Sequence, residues 1–201
     1  MFITLEGPEG SGKSTQAARL AASLGAVLTQ ETGGTDIGQR LREVLHDTDN
    51  NHLDPRAEAL IVAADRAQHL AEVVRPALSA GRAVVSDRSV YSTLAYQGYG
   101  RQIDLAELRR INDWAVDGCW PDLVIYCTVP DDVVAARLDQ RQLDRFELAG
   151  DEFHRRVSDG YRRLVVAEPD RWVIVDAAGG IDDTAALIAA AVGERIGAWP
   201  R

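Results

Sequence analysis

The chain has 201 residues, of which 46% are hydrophobic and 26% are charged, and this composition predicts one globular domain over residues 1–201. The net charge of −9 argues against nucleic acid as a partner. Cys119 and Cys127 form no Cys-x-x-Cys pair, which favours a reduced, cytoplasmic protein. The apolar run at residues 185–192 is too short to span a bilayer, so no membrane association is expected.

The first predicted elements are a buried strand at residues 1–5 and a helix at residues 14–24 with one apolar stripe. Between them, Gly-Pro-Glu-Gly-Ser-Gly-Lys-Ser fits the phosphate-binding loop pattern G-x-x-x-x-G-K-[ST]. Lys13 is the only lysine among the 22 basic residues, and a compact ammonium reaches between phosphates where a guanidinium fork does not. Backbone N–H groups of such a turn bind anions, and the Ser14 hydroxyl is placed to hold Mg²⁺. The alternative is a glycine-rich turn that fits by chance.

Further along the chain, apolar strand patterns alternate with helical patterns. The predicted strands are residues 1–5, 26–29, 82–86, 123–127 and 172–175, and the further predicted helices are residues 37–46, 55–80, 105–116, 131–141, 151–166 and 182–196. This alternation predicts an α/β fold in which a five-stranded parallel sheet carries helices on both faces. Ligands of such folds bind beyond the carboxyl ends of the strands, which brings together residues 7–14, 31–35 and 87–92.

Asp87 follows the third predicted strand, as a metal-binding Walker B acid does. A carboxylate there can hold the water shell of Mg²⁺, although a helix cap would explain the same residue. Arg88 follows directly and is expected in the same crevice; its alternative is a surface salt bridge of little energetic value.

Arg137, Arg141 and Arg145 are spaced four residues apart and would share one helix face. We interpret residues 137–150 as a lid that folds over a triphosphate and supplies cations to the transition state, with Arg141 and Arg145 ranked above Arg137. Nearby aspartates leave open a solvated, salt-bridged helix. Glu9 should be repelled by phosphates and point toward a sugar hydroxyl of a second substrate, unless it is a solvated turn residue.

Several segments of the chain resemble thymidylate kinases. They are the P-loop, residues 31–35 (Glu-Thr-Gly-Gly-Thr), residues 64–69 (Ala-Asp-Arg-Ala-Gln-His), Asp87-Arg88 and residues 94–98 (Leu-Ala-Tyr-Gln-Gly), in the same order. The resemblance extends from residue 2 to about residue 176 and implies a P-loop NTPase fold of the nucleoside monophosphate kinase type. The chain looks like the bacterial subtype that carries its catalytic arginines in the lid.

The resemblance implies a role for each matching residue. The catalytic set is Lys13, Asp87, Arg88, Arg141 and Arg145. The ATP-binding set is Gly7, Pro8, Glu9, Gly10, Ser11, Gly12, Lys13, Ser14 and Thr15. The set that binds the acceptor nucleotide is Glu9, Val62, Arg66, Arg88, Ser92, Thr93 and Tyr96. Ser14 and Asp87 would hold Mg²⁺, and members of the family are usually homodimers.

The implied reaction is phosphoryl transfer from ATP to dTMP, giving dTDP. Departures from the family pattern lie on the base side: Val62 stands where a phenylalanine usually stacks on thymine, Gln30 and Thr32 replace an arginine and a proline, and Ser89 replaces an aromatic residue. Tyr91 is a candidate replacement ring. The alternatives are a kinase for another or modified nucleoside monophosphate, and a nucleotide-dependent switch that binds a protein partner.

Overall fold

A computed structural model describes residues 1–130, 133–134, 137 and 144–197. Five parallel strands form one sheet in the order β2-β3-β1-β4-β5. Their bounds are Phe2–Glu6 (β1), Val27–Gln30 (β2), Val84–Asp87 (β3), Leu123–Thr128 (β4) and Trp172–Asp176 (β5). The predicted parallel sheet is confirmed, and each strand lies within two residues of its predicted position.

Apart from helical residues 133, 134 and 137, the described part of the chain contains eight α-helices. They are Lys13–Leu24 (α1), Asp36–His46 (α2), Pro55–His69 (α3), Arg75–Ser79 (α4), Val90–Thr93 (α5), Leu105–Val116 (α6), Asp151–Ala167 (α7) and Ile181–Gly197 (α8). No helix in these described ranges has both the length and the apolar character needed to cross a membrane.

The two faces of the sheet bury separate apolar cores, because alternate residues of a strand point to opposite faces. On one face, Ile3 and Leu5 of β1 pack in a cluster with residues of α1 and α8. On the other face, Phe2 packs in a cluster with residues of α2, α3, α6 and α7. Helices therefore cover both faces, as the continuous apolar strands predicted.

The sheet register brings the functional segments to one edge. Leu5 of β1 pairs with Asp87 of β3, which in turn pairs with Gln30 of β2. The loops that follow these strands begin at Gly7, Arg88 and Glu31, so they meet at the carboxyl edge of the sheet.

The helical structure of residues 90–100 was missed by the sequence prediction. After α5, a π-helical segment spans Leu94–Gly100. Glycines disfavour a helix by local propensity, but here they permit close packing: a Cβ on Gly98 would lie 2.5 Å from Leu105, and one on Gly100 would lie 2.6 Å from Phe153. Tertiary packing therefore overrides the local signal.

Two other helix predictions need comment. The predicted helix at residues 55–80 is divided by a π-helical turn at Leu70–Val74, which precedes Pro76, a residue without a backbone donor. Of the predicted helix at residues 131–141, only Val133, Val134 and Arg137 lie within the described residues, and all three are helical.

Candidate active site

The P-loop has the backbone geometry of an anion site. Gly7 approaches β4 so closely that a Cβ would lie 2.5 Å from the carbonyl oxygen of Cys127. Gly12, at φ 83°, begins α1 without a side-chain cap. Because glycine has no side chain, the N-cap residue gives no hydrogen bond to the first backbone N–H groups of α1. These groups can therefore donate to phosphate oxygens.

Lys13 is folded back across this loop. Its side chain is only 5% exposed, and Nζ donates to the carbonyl oxygen of Pro8 at 2.6 Å and to Ser11 Oγ at 3.3 Å. Burial, followed by the nearby positive charge of Arg88, lowers the pKa of Lys13, while the carboxylates of Glu9 and Asp87 oppose that shift. The ammonium thus lies within the loop that its motif predicts.

Ser14 and Asp87 form the second part of the site. The Ser14 hydroxyl donates to Asp87 Oδ2, and Asp87 Oδ1 is buried without a hydrogen-bond partner among the described residues. A hydroxyl beside a carboxylate with a free oxygen is an oxygen donor pair that suits Mg²⁺. The described ranges contain no group of three His, Cys, Asp or Glu side chains placed for one ion, so phosphate and water oxygens have to complete such a coordination shell.

Arg88 reaches the P-loop, where its Nη1 donates to the Gly7 carbonyl oxygen at 3.3 Å, and its backbone is in the left-handed region, at φ 72°. Its Nη2 donates to the Glu9 carboxylate and to Tyr96 OH at 3.1 Å, and its Nη1 donates to Ser92 Oγ at 3.1 Å. Burial works against the positive charge, but Glu9 and the neighbouring phenols outweigh it and raise the pKa of Arg88 further. The carboxylate of Glu9 therefore binds Arg88 in this structure.

One cavity of about 230 Å³ is lined by Lys13, Ser14 and Asp87 and also by Arg88. Of the predicted residues, those that line it are Glu9, Lys13, Ser14, Val62, Arg66, Asp87, Arg88, Ser92, Thr93 and Tyr96. The remaining loop residues lie on the P-loop itself, except Thr15, which is exposed on α1. The structure thus brings Lys13 and Arg88 to a shared space.

Arg66 forms the inner wall of this cavity and is only 1% exposed. Its Nε donates to Glu31 Oε2 at 2.9 Å, its Nη2 donates to the Ser89 carbonyl oxygen at 3.2 Å, and its Nη1 donates to Asn112. Burial opposes ionisation of Glu31, but the Arg66 charge and a hydrogen bond from His69 lower the pKa of its carboxyl group. The guanidinium is consequently fixed by a buried ion pair.

The aromatic lining of the cavity differs from the prediction. Tyr91 is fully buried elsewhere, where its hydroxyl donates to Glu168 at 2.6 Å and accepts from Arg171 at 2.9 Å, so its assignment as a replacement ring was wrong. Phe146 lines the cavity instead and packs edge-on against Tyr96 at 6.0 Å between centroids. No pattern in the sequence identified Phe146, because most of the other cavity residues lie far from it along the chain.

Of the three arginines predicted to share one helix face, Arg137 and Arg145 lie within the described residues and contact different parts of the molecule. Arg145 is 7% exposed; its Nη1 donates to Glu58 Oε2 at 2.7 Å and its Nε to the Leu45 carbonyl oxygen at 2.8 Å. It does not line the cavity that contains Lys13, so its role at the phosphates stays a prediction. Arg137, which ranked lower, donates to the P-loop carbonyl oxygen of Gly10 at 3.0 Å. Arg141 lies outside the described residues.

Several further residues line the cavity and were not predicted as binding residues, and four of them stand out. They are Arg42, Leu45, His46 and Gln97. His46 Nδ1 lies 2.6 Å from Asp144 Oδ2, which joins the end of α2 to the segment predicted as a lid. Gln97 belongs to residues 94–98, one of the segments that resemble the family, so the sequence could have identified it as a binding residue.

Comparison with known proteins agrees with this geometry. The sequence model of the family described as thymidylate kinase matches residues 5–188. The chain is 47% identical over 196 residues to a thymidylate kinase of Leifsonia xyli, with 94% of this chain and 92% of the relative covered. It is 44% identical over 188 residues to one from Exiguobacterium, with 90% and 89% covered. The crystal structure of a thymidylate kinase from Ehrlichia chaffeensis superposes with a TM-score of 0.80 at 30% identity, over 96% of this chain and 98% of that one.

These matches span nearly the whole chain, and they include both a family sequence model and a solved structure of the same fold. The chain therefore belongs to the thymidylate kinase family.

Proposed function

We propose that this protein transfers the γ-phosphoryl group of ATP to dTMP and produces dTDP. The observation that carries the proposal is that Lys13 and Arg88 line the same cavity. A phosphotransferase needs two anion sites that face each other, one for the donor and one for the acceptor phosphate.

On the donor side, the P-loop N–H groups and Lys13 bind the ATP phosphates. Ser14 and Asp87 would hold Mg²⁺, which would offset negative charge on the donor phosphates. Phosphoryl transfer passes through a loose transition state with charge on the equatorial oxygens. Preorganised cations in a cavity that excludes water stabilise that charge more than the same cations do in bulk water.

On the acceptor side, Arg88 binds the dTMP phosphate and replaces its contact to Glu9 with one to the substrate. Tyr96 packs against the deoxyribose. Arg66 has five N–H donors, of which three hydrogen-bond to Glu31, Asn112 and Ser89. The two others are available to polar atoms on the edge of the base, with Val62 as the apolar contact.

The alternatives are a kinase of another nucleoside monophosphate and a nucleotide-dependent switch. Steady-state release of ADP, measured with dTMP, dUMP, dCMP, dGMP, AMP and UMP as acceptors, separates them. We expect the highest kcat/KM with dTMP. A purine monophosphate that reacts faster than dTMP would overturn the assignment, and ATP binding without turnover on any acceptor would favour the switch.

We also propose that the protein acts in the cytoplasm as a homodimer. Large apolar side chains are exposed on three helices that pack side by side: Val44 on α2 is 41% exposed, Leu60 on α3 is 56% exposed and Trp114 on α6 is 85% exposed. Large apolar side chains that stay exposed, tryptophan above all, are candidates for burial in an interface.

A further inference from the structure

We propose that Glu6 is a positioning residue for the acceptor phosphate, which it serves by holding the Arg88 guanidinium through the hydroxyl groups of Ser92 and Tyr161. The inference rests on the proposed function, because it takes Arg88 as the residue that binds the dTMP phosphate.

Glu6 lies at the carboxyl end of β1 and is completely buried. Three hydroxyl groups donate to its carboxylate: Ser89 Oγ at 2.7 Å to Oε1, and Ser92 Oγ at 2.6 Å and Tyr161 OH at 2.8 Å to Oε2. A buried carboxylate is costly unless it is hydrogen-bonded, and these donors satisfy it. Because it has no exposed surface, Glu6 can influence a substrate only through its neighbours.

Two of the three hydroxyls connect Glu6 to Arg88. Arg88 Nη1 donates to Ser92 Oγ at 3.1 Å and to Tyr161 OH at 3.4 Å. A hydroxyl has one proton and two lone pairs. Because each hydroxyl gives its proton to Glu6, its lone pairs face Arg88, and the carboxylate charge strengthens these contacts through the chain of hydrogen bonds.

The two carboxylates near Arg88 therefore differ in role. Glu9 contacts the guanidinium directly and its side chain is 30% exposed, so an incoming phosphate can replace it. Glu6 holds the opposite, buried side of the guanidinium through the hydroxyls and can keep its contacts when substrate binds. Burial raises the pKa of Glu6, while the positive charge of Arg88 and the three hydroxyls favour its ionised form.

The direct test is Glu6→Gln in the full-length chain, with the affinities for dTMP and thymidine measured by isothermal titration calorimetry. Thymidine lacks the phosphate and does not use Arg88. We expect dTMP binding to weaken by about tenfold, as for loss of a charge-assisted network, and thymidine binding to change by less than about twofold. An equal loss for both ligands, or no loss for either, overturns the proposal.

Matched variants separate positioning from general support. Ser89→Ala removes one donor to Glu6 that makes no side-chain contact with Arg88, so the ratio of the dTMP and thymidine affinities should stay near that of the wild type. Glu6→Gln should have no effect on this ratio when Arg88 is already replaced by Met. A persistent effect in that background contradicts a route through Arg88.

If Glu6→Gln fails to fold, as judged by thermal melting, the double variant Ser92→Ala with Tyr161→Phe removes both connecting hydroxyls and leaves Glu6 in place. It should show the same selective loss of dTMP affinity, and an unchanged ratio overturns the proposal. A wild-type protein that binds dTMP no better than thymidine would instead contradict the proposed function.

Discussion

At the scale of single residues, the structure predicts that Lys13→Arg abolishes most of the activity. Nζ fits between the Pro8 carbonyl oxygen and Ser11 Oγ in a nearly closed space, and a guanidinium is too broad for it. We expect kcat to fall by at least about a hundredfold, the scale of losing one preorganised transition-state contact, as measured by coupled ADP release. The control is Arg19→Lys on the same helix, where the side chain forms an exposed ion pair with Asp182 and activity should be unchanged. Wild-type turnover in Lys13→Arg would mean that the single lysine has no special role.

The second prediction at this scale concerns Val62, which lines the cavity at 7% exposure. Val62→Phe should tighten dTMP binding by about 1–3 kcal/mol if the added ring stacks on the base, as measured by titration calorimetry. Val62→Leu adds volume without a π-face and should give a much smaller gain. Weaker binding in both variants would show that other side chains, such as Phe146, already occupy the space for a ring.

Single residues also show what a sequence leaves undetermined. Lys13 could be placed because the P-loop motif fixes it at the start of α1, and Asp87 and Arg88 could be placed because they stand at the carboxyl end of β3. The direction of the Tyr91 side chain depends on Glu168 and Arg171, about eighty residues away along the chain. No local pattern contains that information, so the ring was assigned to the wrong environment.

At the scale of elements, truncation of Arg145 should lower mainly stability, and truncation of Arg137 should lower mainly turnover. Arg145→Ala removes a buried partner of Glu58, which keeps Arg101 and Gln97. We therefore expect the free energy of unfolding to fall by about 1–3 kcal/mol. Arg137→Ala removes a contact to the P-loop from an exposed side chain, so we expect about tenfold lower turnover with little change in stability.

Chemical denaturation and kcat for both variants, measured side by side, check this pair of expectations. A loss of kcat beyond about a hundredfold in Arg145→Ala, with unchanged stability, would contradict them. It would mean that Arg145 leaves Glu58 during the reaction and acts on the phosphates.

Elements with a strong local pattern were predictable, and elements set by distant contacts were not. The five strands are continuous apolar runs bounded by turns, and the sheet follows from them. The helical segment at residues 90–100 contains Gly98 and Gly100, which leave room for Leu105 and Phe153 to pack against the backbone. Helix propensity is a local property, so it carries no information about contacts with residues elsewhere in the chain.

At the scale of the whole molecule, the site is assembled from contacts that span most of the chain. Tyr161 reaches Glu6 across 155 residues, and Arg145 reaches Glu58 across 87. The strand-end rule predicted that the P-loop, Glu31 and Arg88 meet at one edge. The rule gave no information on α7 or on the predicted lid segment, because neither follows one of these strands. Each contributes side chains to the site, such as Tyr161 and Phe146.

The last prediction concerns the assembly of two chains. Trp114→Glu replaces the most exposed apolar side chain of α2, α3 and α6 with a charge. It should convert a dimer into a monomer, because an unpaired charge is costly in a buried interface. Size-exclusion chromatography with light scattering should give twice the mass of the chain for the wild type and the mass of one chain for the variant. Val166→Glu is the matched control, since Val166 on α7 is 80% exposed, close to the 85% of Trp114, and lies on another helix. A dimer that persists in Trp114→Glu but dissociates in Val166→Glu would place the interface on α7 instead, and a monomeric wild type would remove the dimer proposal altogether.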